Sequence, residues 1–286
     1  MTMRAGLPMW SPHPDVWLLI GLIGAAYWIA VVRLGPLYAP KGAPAVTRLQ
    51  AASFMTALAA LWIVSDWPIH DVAEQRLLSV HMSQHMVEML IAPPLLLIGT
   101  PAWMARLVLR PPGMLRATRW LARFLPATIL FNSALLIVHA PVAIRWQLGS
   151  GFVHFGFHLL LVGASVIAWM PVLSPLPEVP RLAPPVRMLY LFVQSMIPTV
   201  PASFLTFGDH PLYHVYEKLP RLWGMTTLDD MRVGGLIMKM GGGIVIWVTI
   251  TILFFRWYSE EEDRGLPRRV ERDLDRELDE MRLVNQ

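Results

Sequence analysis

Seven blocks of mostly apolar residues recur along the chain, at 15–33, 47–65, 77–99, 121–140, 151–171, 186–207 and 233–256. A helix that crosses a bilayer needs about 20 such residues, because it rises about 1.5 Å per residue through roughly 30 Å of hydrocarbon. Helix breakers stand between the blocks: Pro36 and Pro40, Pro111-Pro112-Gly113, Pro141, and the run Pro171, Pro175, Pro177, Pro180, Pro184 and Pro185. That run is expected to be non-helical and to lie extended at the surface. The pattern predicts an all-α polytopic membrane protein, a bundle of about seven transmembrane helices within residues 1–258. A charged tail, 259–286, follows. In it Val270, Leu274, Leu278 and Met281 recur at the spacing of a short amphipathic helix.

Composition agrees with this reading. Apolar residues make up 55% of the chain and charged residues 15%, too few charges to clothe a soluble domain of this length. The absence of cysteine excludes disulfides, thiolate metal sites and cysteine nucleophiles. The first fifteen residues hold three prolines and no apolar core, so no removable signal peptide is expected. The net charge of +4 comes mainly from loop arginines, which in a membrane protein report orientation and do not call for a nucleic-acid partner. Arg33, Lys41 and Arg48 follow the first span, and Arg106, Arg110, Arg116, Arg119 and Arg123 follow the third. The loop after the second span is acidic, with Asp66, Asp71 and Glu74 against Arg76. The positive-inside rule then puts the N-terminus outside and the C-terminus in the cytoplasm.

With that orientation all nine histidines fall on the outer side. His81/His85 in the third span and His154/His158 in the fifth are i, i+4 pairs, so each pair shows both imidazoles on one helical face. His139 closes the fourth span at the same level, and Glu88 lies one turn below His85, where an unpaired carboxylate is expensive. Facing helices of this kind offer up to four nitrogens to copper, zinc or iron. Met82 and Met86 interleave with them, and thioethers favour Cu(I), although methionine in a helix is ordinarily a packing residue. His13 and His70 read as exposed, and His210/His214 as a solvated loop. Asn132 and Gln194 suit an interhelical hydrogen bond, and the glycines at 234–235 and 241–243 a close helix approach.

Two stretches carry a family resemblance: His81-Met82-Ser83-Gln84-His85-Met86-Val87-Glu88-Met89-Leu90, continued by Ala92-Pro93-Pro94-Leu95 and Gly99-Thr100-Pro101, and His154-Phe155-Gly156-Phe157-His158. Together with Asp230-Met231-Arg232-Val233-Gly234-Gly235-Leu236-Ile237-Met238 they resemble the CtaG family of membrane-integral assembly factors for caa-type cytochrome c oxidases. This is the multi-span family, not the single-span copper donor of the same name. The chain departs from its pattern at Met231, Arg232 and Lys239. The resemblance implies a non-enzymatic role in maturing a haem-copper oxidase, with oxidase subunits as partners and copper as the metal. It adds Asp230 and Met238 to the candidate ligands His81, His85, His154, His158, His139, Glu88, Met82 and Met86. It also implies a multi-pass protein of the bacterial plasma (inner) membrane. A b-type haem cytochrome, or a zinc metallohydrolase or transporter using Glu88 or Asp230, remains open, as does a homo-oligomer.

Overall fold

The computed structural model describes the backbone of residues 6–284 and the side chains of residues 6–264. Every regular element among them is helical. The first span, α1, is Pro14–Tyr38 with a π turn at Ala30–Leu34, and the second, α2, is Arg48–Ser65. A short helix, α3 (Ile69–Gln75), leads into α4 (Leu78–Gly99), which bends by 105° into α5 (Ala102–Val108). The fourth span joins α6 (Met114–Leu121) to α7 (Phe124–Val138) across an 86° bend, and α8 (Pro141–Gly149) returns along the end of the bundle. Then come α9 (Gly151–Leu173) and α10 (Pro184–Phe207). The last helix, α11, starts as Thr227–Leu236, passes through a π turn at Ile237–Gly241 and continues as Gly242–Val284. Among the described residues five helices are long and apolar enough to cross a membrane, and counting each bent pair as one span brings the number to seven.

Two sequence expectations shift. Pro171 lies inside the last turn of α9, and Pro184 and Pro185 form the first turn of α10, so only the stretch between Leu173 and Pro184 is free of helix. The first turn of a helix has no intrahelical partner for its amides, so proline loses nothing there. The final helix runs on past residue 258 without a break, and the side chains of its amphipathic stretch lie outside the described residues.

Within a bilayer each backbone polar group needs a partner in the protein. Pro93 and Pro94 have no N–H, which leaves the Met89 carbonyl without its helical donor. Trp169 of α9 donates its indole N–H to that carbonyl at 2.9 Å. The break coincides with a π turn at Val87–Ile91, the kind of local widening that recurs at functional sites. Close approaches fix the rest of the bundle. A Cβ on Gly99 would sit 2.6 Å from the Phe54 amide of α2, and one on Gly235 2.7 Å from the Ala202 carbonyl of α10. Across α7 and α10, Asn132 donates to Gln194 at 2.7 Å, the hydrogen bond the sequence suggested.

Because backbone faces Gly99, the clash cannot be relieved by a rotamer change. Gly99→Ala is expected to cost about 1–3 kcal/mol of stability. Thermal unfolding in detergent checks this, and an unchanged midpoint would refute the close approach.

Candidate metal centre

The histidine-bearing segment of α4 is held in place from its first turn. Leu78 and Ser79 donate their amides to the two carboxylate oxygens of Asp230 in α11, at 2.8 and 2.9 Å. Arg221 pairs with the same carboxylate at 3.1 Å, and Asp230 is fully buried. Asp230 therefore caps α4, satisfying orphan amides with a charge that the helix dipole favours.

One turn on, four elements converge. From α4 come His81, Gln84, His85 and Glu88; from α9, His154 and His158; from α3, His70 and Glu74; and from the end of α7, His139. Among the described residues two groups have donor atoms mutually within 4.8 Å: His85, Glu88 and His158, and His70, Glu74 and His154.

The inner group is almost wholly enclosed. His158 Nδ1 lies 2.8 and 2.7 Å from the two Glu88 oxygens, and Gln84 Nε2 donates to Glu88 Oε1 at 3.2 Å. His139 Nδ1 donates to the Leu135 carbonyl at 2.8 Å, which leaves the lone pair on Nε2. His85 Nδ1 sits 3.4 Å from that Nε2 and donates to it, so His85 keeps its lone pair on Nε2. Among the described residues, His85 Nε2, His158 Nε2 and both ring nitrogens of His81 are buried without a hydrogen-bond partner. A buried polar atom in that state costs about 1–3 kcal/mol, and a lone pair fixed by a hydrogen bond on the far side of the ring, as at His85, is what a metal-binding histidine presents. The residues thus fit a cation.

The outer group lies above it. His154 Nδ1 is 2.8 Å from Glu74 Oε1 and His70 Nε2 is 3.7 Å from it. His70 and Glu74 belong to a loop helix outside the spans. Burial pushes the His70 imidazole down to about 4, so it is neutral at pH 7. Burial raises the Glu74 carboxyl, but the adjacent His154 outweighs it and holds Glu74 below its ordinary value. His13, just before α1, reaches Asp71 of α3 at 2.8 Å, latching the start of the first span over this cluster. A cavity of about 420 Å³ between α1, α2, α4 and α9 touches both groups.

Sequence reasoning placed His81, His85, His139, His154, His158 and Glu88 together, and they do meet. It read His13 and His70 as exposed, and here the structure differs, since both are largely covered through α3. The signal was available as a further i, i+4 pair, His70 and Glu74, in a stretch too short and polar to register as a helix. The remaining candidates lie elsewhere. Met82 and Met238 are buried in an apolar cluster with Leu78, Ile144, Leu205 and Met231. Met86 turns its Sδ toward α11, 3.6 Å from the Cβ position of Gly242. The methionine face of α4 packs on the last span while the histidine face meets α9. Asp230 serves the cap described above. His210 and His214 are exposed, as expected.

Removing the Asp230 carboxylate would strand Arg221 and two amides. Asp230→Ala is expected to destabilise the fold by about 3–5 kcal/mol. Its thermal midpoint in detergent should fall well below that of Asp229→Ala, an exposed neighbour; equal midpoints would sink the capping role.

No solved structure matches the chain. Two mycobacterial proteins, "Uncharacterized protein Mb0105" of Mycobacterium bovis and "Uncharacterized protein MT0111" of Mycobacterium tuberculosis, are each 27% identical over 94% of this chain, which spans 43% of their length. The family described as cytochrome c oxidase caa3 assembly factor (Caa3_CtaG) matches residues 25–260, and the chain belongs to that family.

Proposed function

We propose that this multi-pass bacterial membrane protein is a non-catalytic copper carrier for the maturation of a haem-copper oxidase, and that His85, Glu88 and His158 hold the copper. The observation that carries the reading is the set of buried imidazole nitrogens left without partners beside a buried carboxylate, in a chain whose family consists of oxidase assembly factors. Copper is cargo here. His85 and His158 supply the nitrogens, His81 stands 4.3 Å from His85 between ring centroids, and His139 orients His85 through its Nε2. Imidazole and carboxylate suit Cu(II) as well as Zn(II), and the family's oxidase role favours copper. The methionines pack away from the site and are not its ligands. By the positive-inside rule the histidine end faces outward.

The test pairs binding with biology. Tag-free protein in detergent is expected to take up Cu(II) with nitrogen hyperfine structure in its electron paramagnetic resonance spectrum. His85→Ala/His158→Ala should lose that signal, and cells carrying the variant should build oxidase with several-fold less copper. Oxidase with a full copper complement in those cells would overturn the reading.

A further inference from the structure

The outer group has the makings of a metal site of its own. His70 and Glu74 sit one turn apart on α3, and His154 faces them from α9, with one donor atom of each within a 4.8 Å set. The contact between His154 Nδ1 and Glu74 Oε1 is short, 2.8 Å, yet it is not aligned as a hydrogen bond, and His154 Nε2 also has no partner among the described residues. His154 is only 3% exposed, so water does not readily make up the loss. His70 Nε2, at 3.7 Å from the same carboxylate oxygen, is too far to hydrogen-bond to it. Nitrogen and oxygen atoms that share a cation at bond lengths near 2.1 Å stand about 3–3.5 Å apart, and the two contacts to Glu74 Oε1, at 2.8 and 3.7 Å, bracket that spacing. The nearby carboxylate of Asp71 is already engaged, by His13 at 2.8 Å and by Gln75 at 3.0 Å, and is not a competing ligand.

We propose that His70, Glu74 and His154 form a second site for a first-row divalent cation, separate from the inner site and placed before it on the way in. The placement rests on the reading of the inner group as a copper site; the second site itself does not. Exposure sets the order: the side chain of Glu74 is 26% exposed and that of Glu88 2%, while one cavity touches both groups. Two links join them. His154 and His158 stack with ring centroids 4.4 Å apart, and Gln84 Nε2 lies 3.4 Å from His70 Nδ1 and 3.2 Å from Glu88 Oε1. A cation leaving the outer group therefore meets ligands of the inner one with no intervening apolar barrier.

The test is stoichiometry, using Cu(II) as the probe. The tag-free full chain carries H210A/H214A to remove the exposed histidine pair, and is dialysed against Cu(II) buffered by a weak chelator. Two equivalents are expected. H70A/E74Q should retain one, and H85A/E88Q should retain one. E74Q alone, a conservative change at a half-buried position, should weaken the outer equivalent at least tenfold with the thermal midpoint unchanged, which guards against a folding defect. One equivalent in the starting protein, loss of all copper in either double variant, or two equivalents retained in H70A/E74Q would each overturn the proposal. Two equivalents bound, with normal oxidase copper in His85→Ala/His158→Ala cells, would leave the second site standing while refuting copper delivery. One equivalent together with an oxidase defect would do the reverse.

Discussion

The opening turn of a helix leaves its amides without partners, and at the edge of a bilayer water is an unreliable substitute. In α4 those amides at Leu78 and Ser79 are held by the carboxylate of Asp230, itself buried and paired with Arg221. This one interaction ties the beginning of the third span to the beginning of the seventh. It fixes the rotation and depth of α4, and hence where His81, His85 and Glu88 point. Without it the upper end of the histidine face loses its anchor. The lower end of the same segment is fixed differently. There two prolines open the helix, and Trp169 of α9 takes the carbonyl they release. The polar stretch of α4 is thus clamped at both ends by neighbours.

Between those clamps, charge is accounted for pair by pair. Each histidine of α9 has its own carboxylate, Glu74 for His154 and Glu88 for His158, and the two acids come from different helices. His139 and His85 form a hydrogen-bonded relay anchored on a backbone carbonyl. In a low-dielectric setting such arrangements are costly unless complete. Among the described residues the buried nitrogens without a partner are those of His81, His85, His154 and His158 and the Nε atoms of Arg76 and Arg221, so within the cluster the incompleteness falls mainly on atoms that bind metals. Fold stability alone would be served better by apolar side chains at these positions.

Much of this was legible in the sequence. Seven apolar blocks and their breakers require only chain length and hydropathy, and the i, i+4 histidine pairs need only helix geometry. What escaped was tertiary. His70 and Glu74 sit on a seven-residue helix whose polar residues gain their cover from α1 and α9, and no local periodicity records that. Met82 and Met86 are next to His81 and His85 in sequence, but a residue step turns the helix by about 100°, which sends them to α11 instead. Asp230 carried a family likeness to a site residue, while its geometry is that of a cap. Its distance of about 150 positions from Leu78 makes such a contact invisible without coordinates.

The arrangement also bears on how a cation would travel. In the proposed relay both sites draw on α9, and their ligands there are consecutive turns of one helix. The ring planes of His154 and His158 lie within 25° of parallel, and their centroids are 4.4 Å apart. That separation is comparable to the reach of one imidazole turning about its side-chain bonds. Movement between the groups then calls for rotamer changes at His154, His158 and Gln84, with the helices staying where Asp230 and Trp169 hold them. Side-chain rotation is far faster than helix displacement, and it leaves every backbone hydrogen bond in the bilayer intact. A rigid bundle with a mobile histidine ladder is therefore a cheaper design for passing a cation inward than a gate that opens and closes.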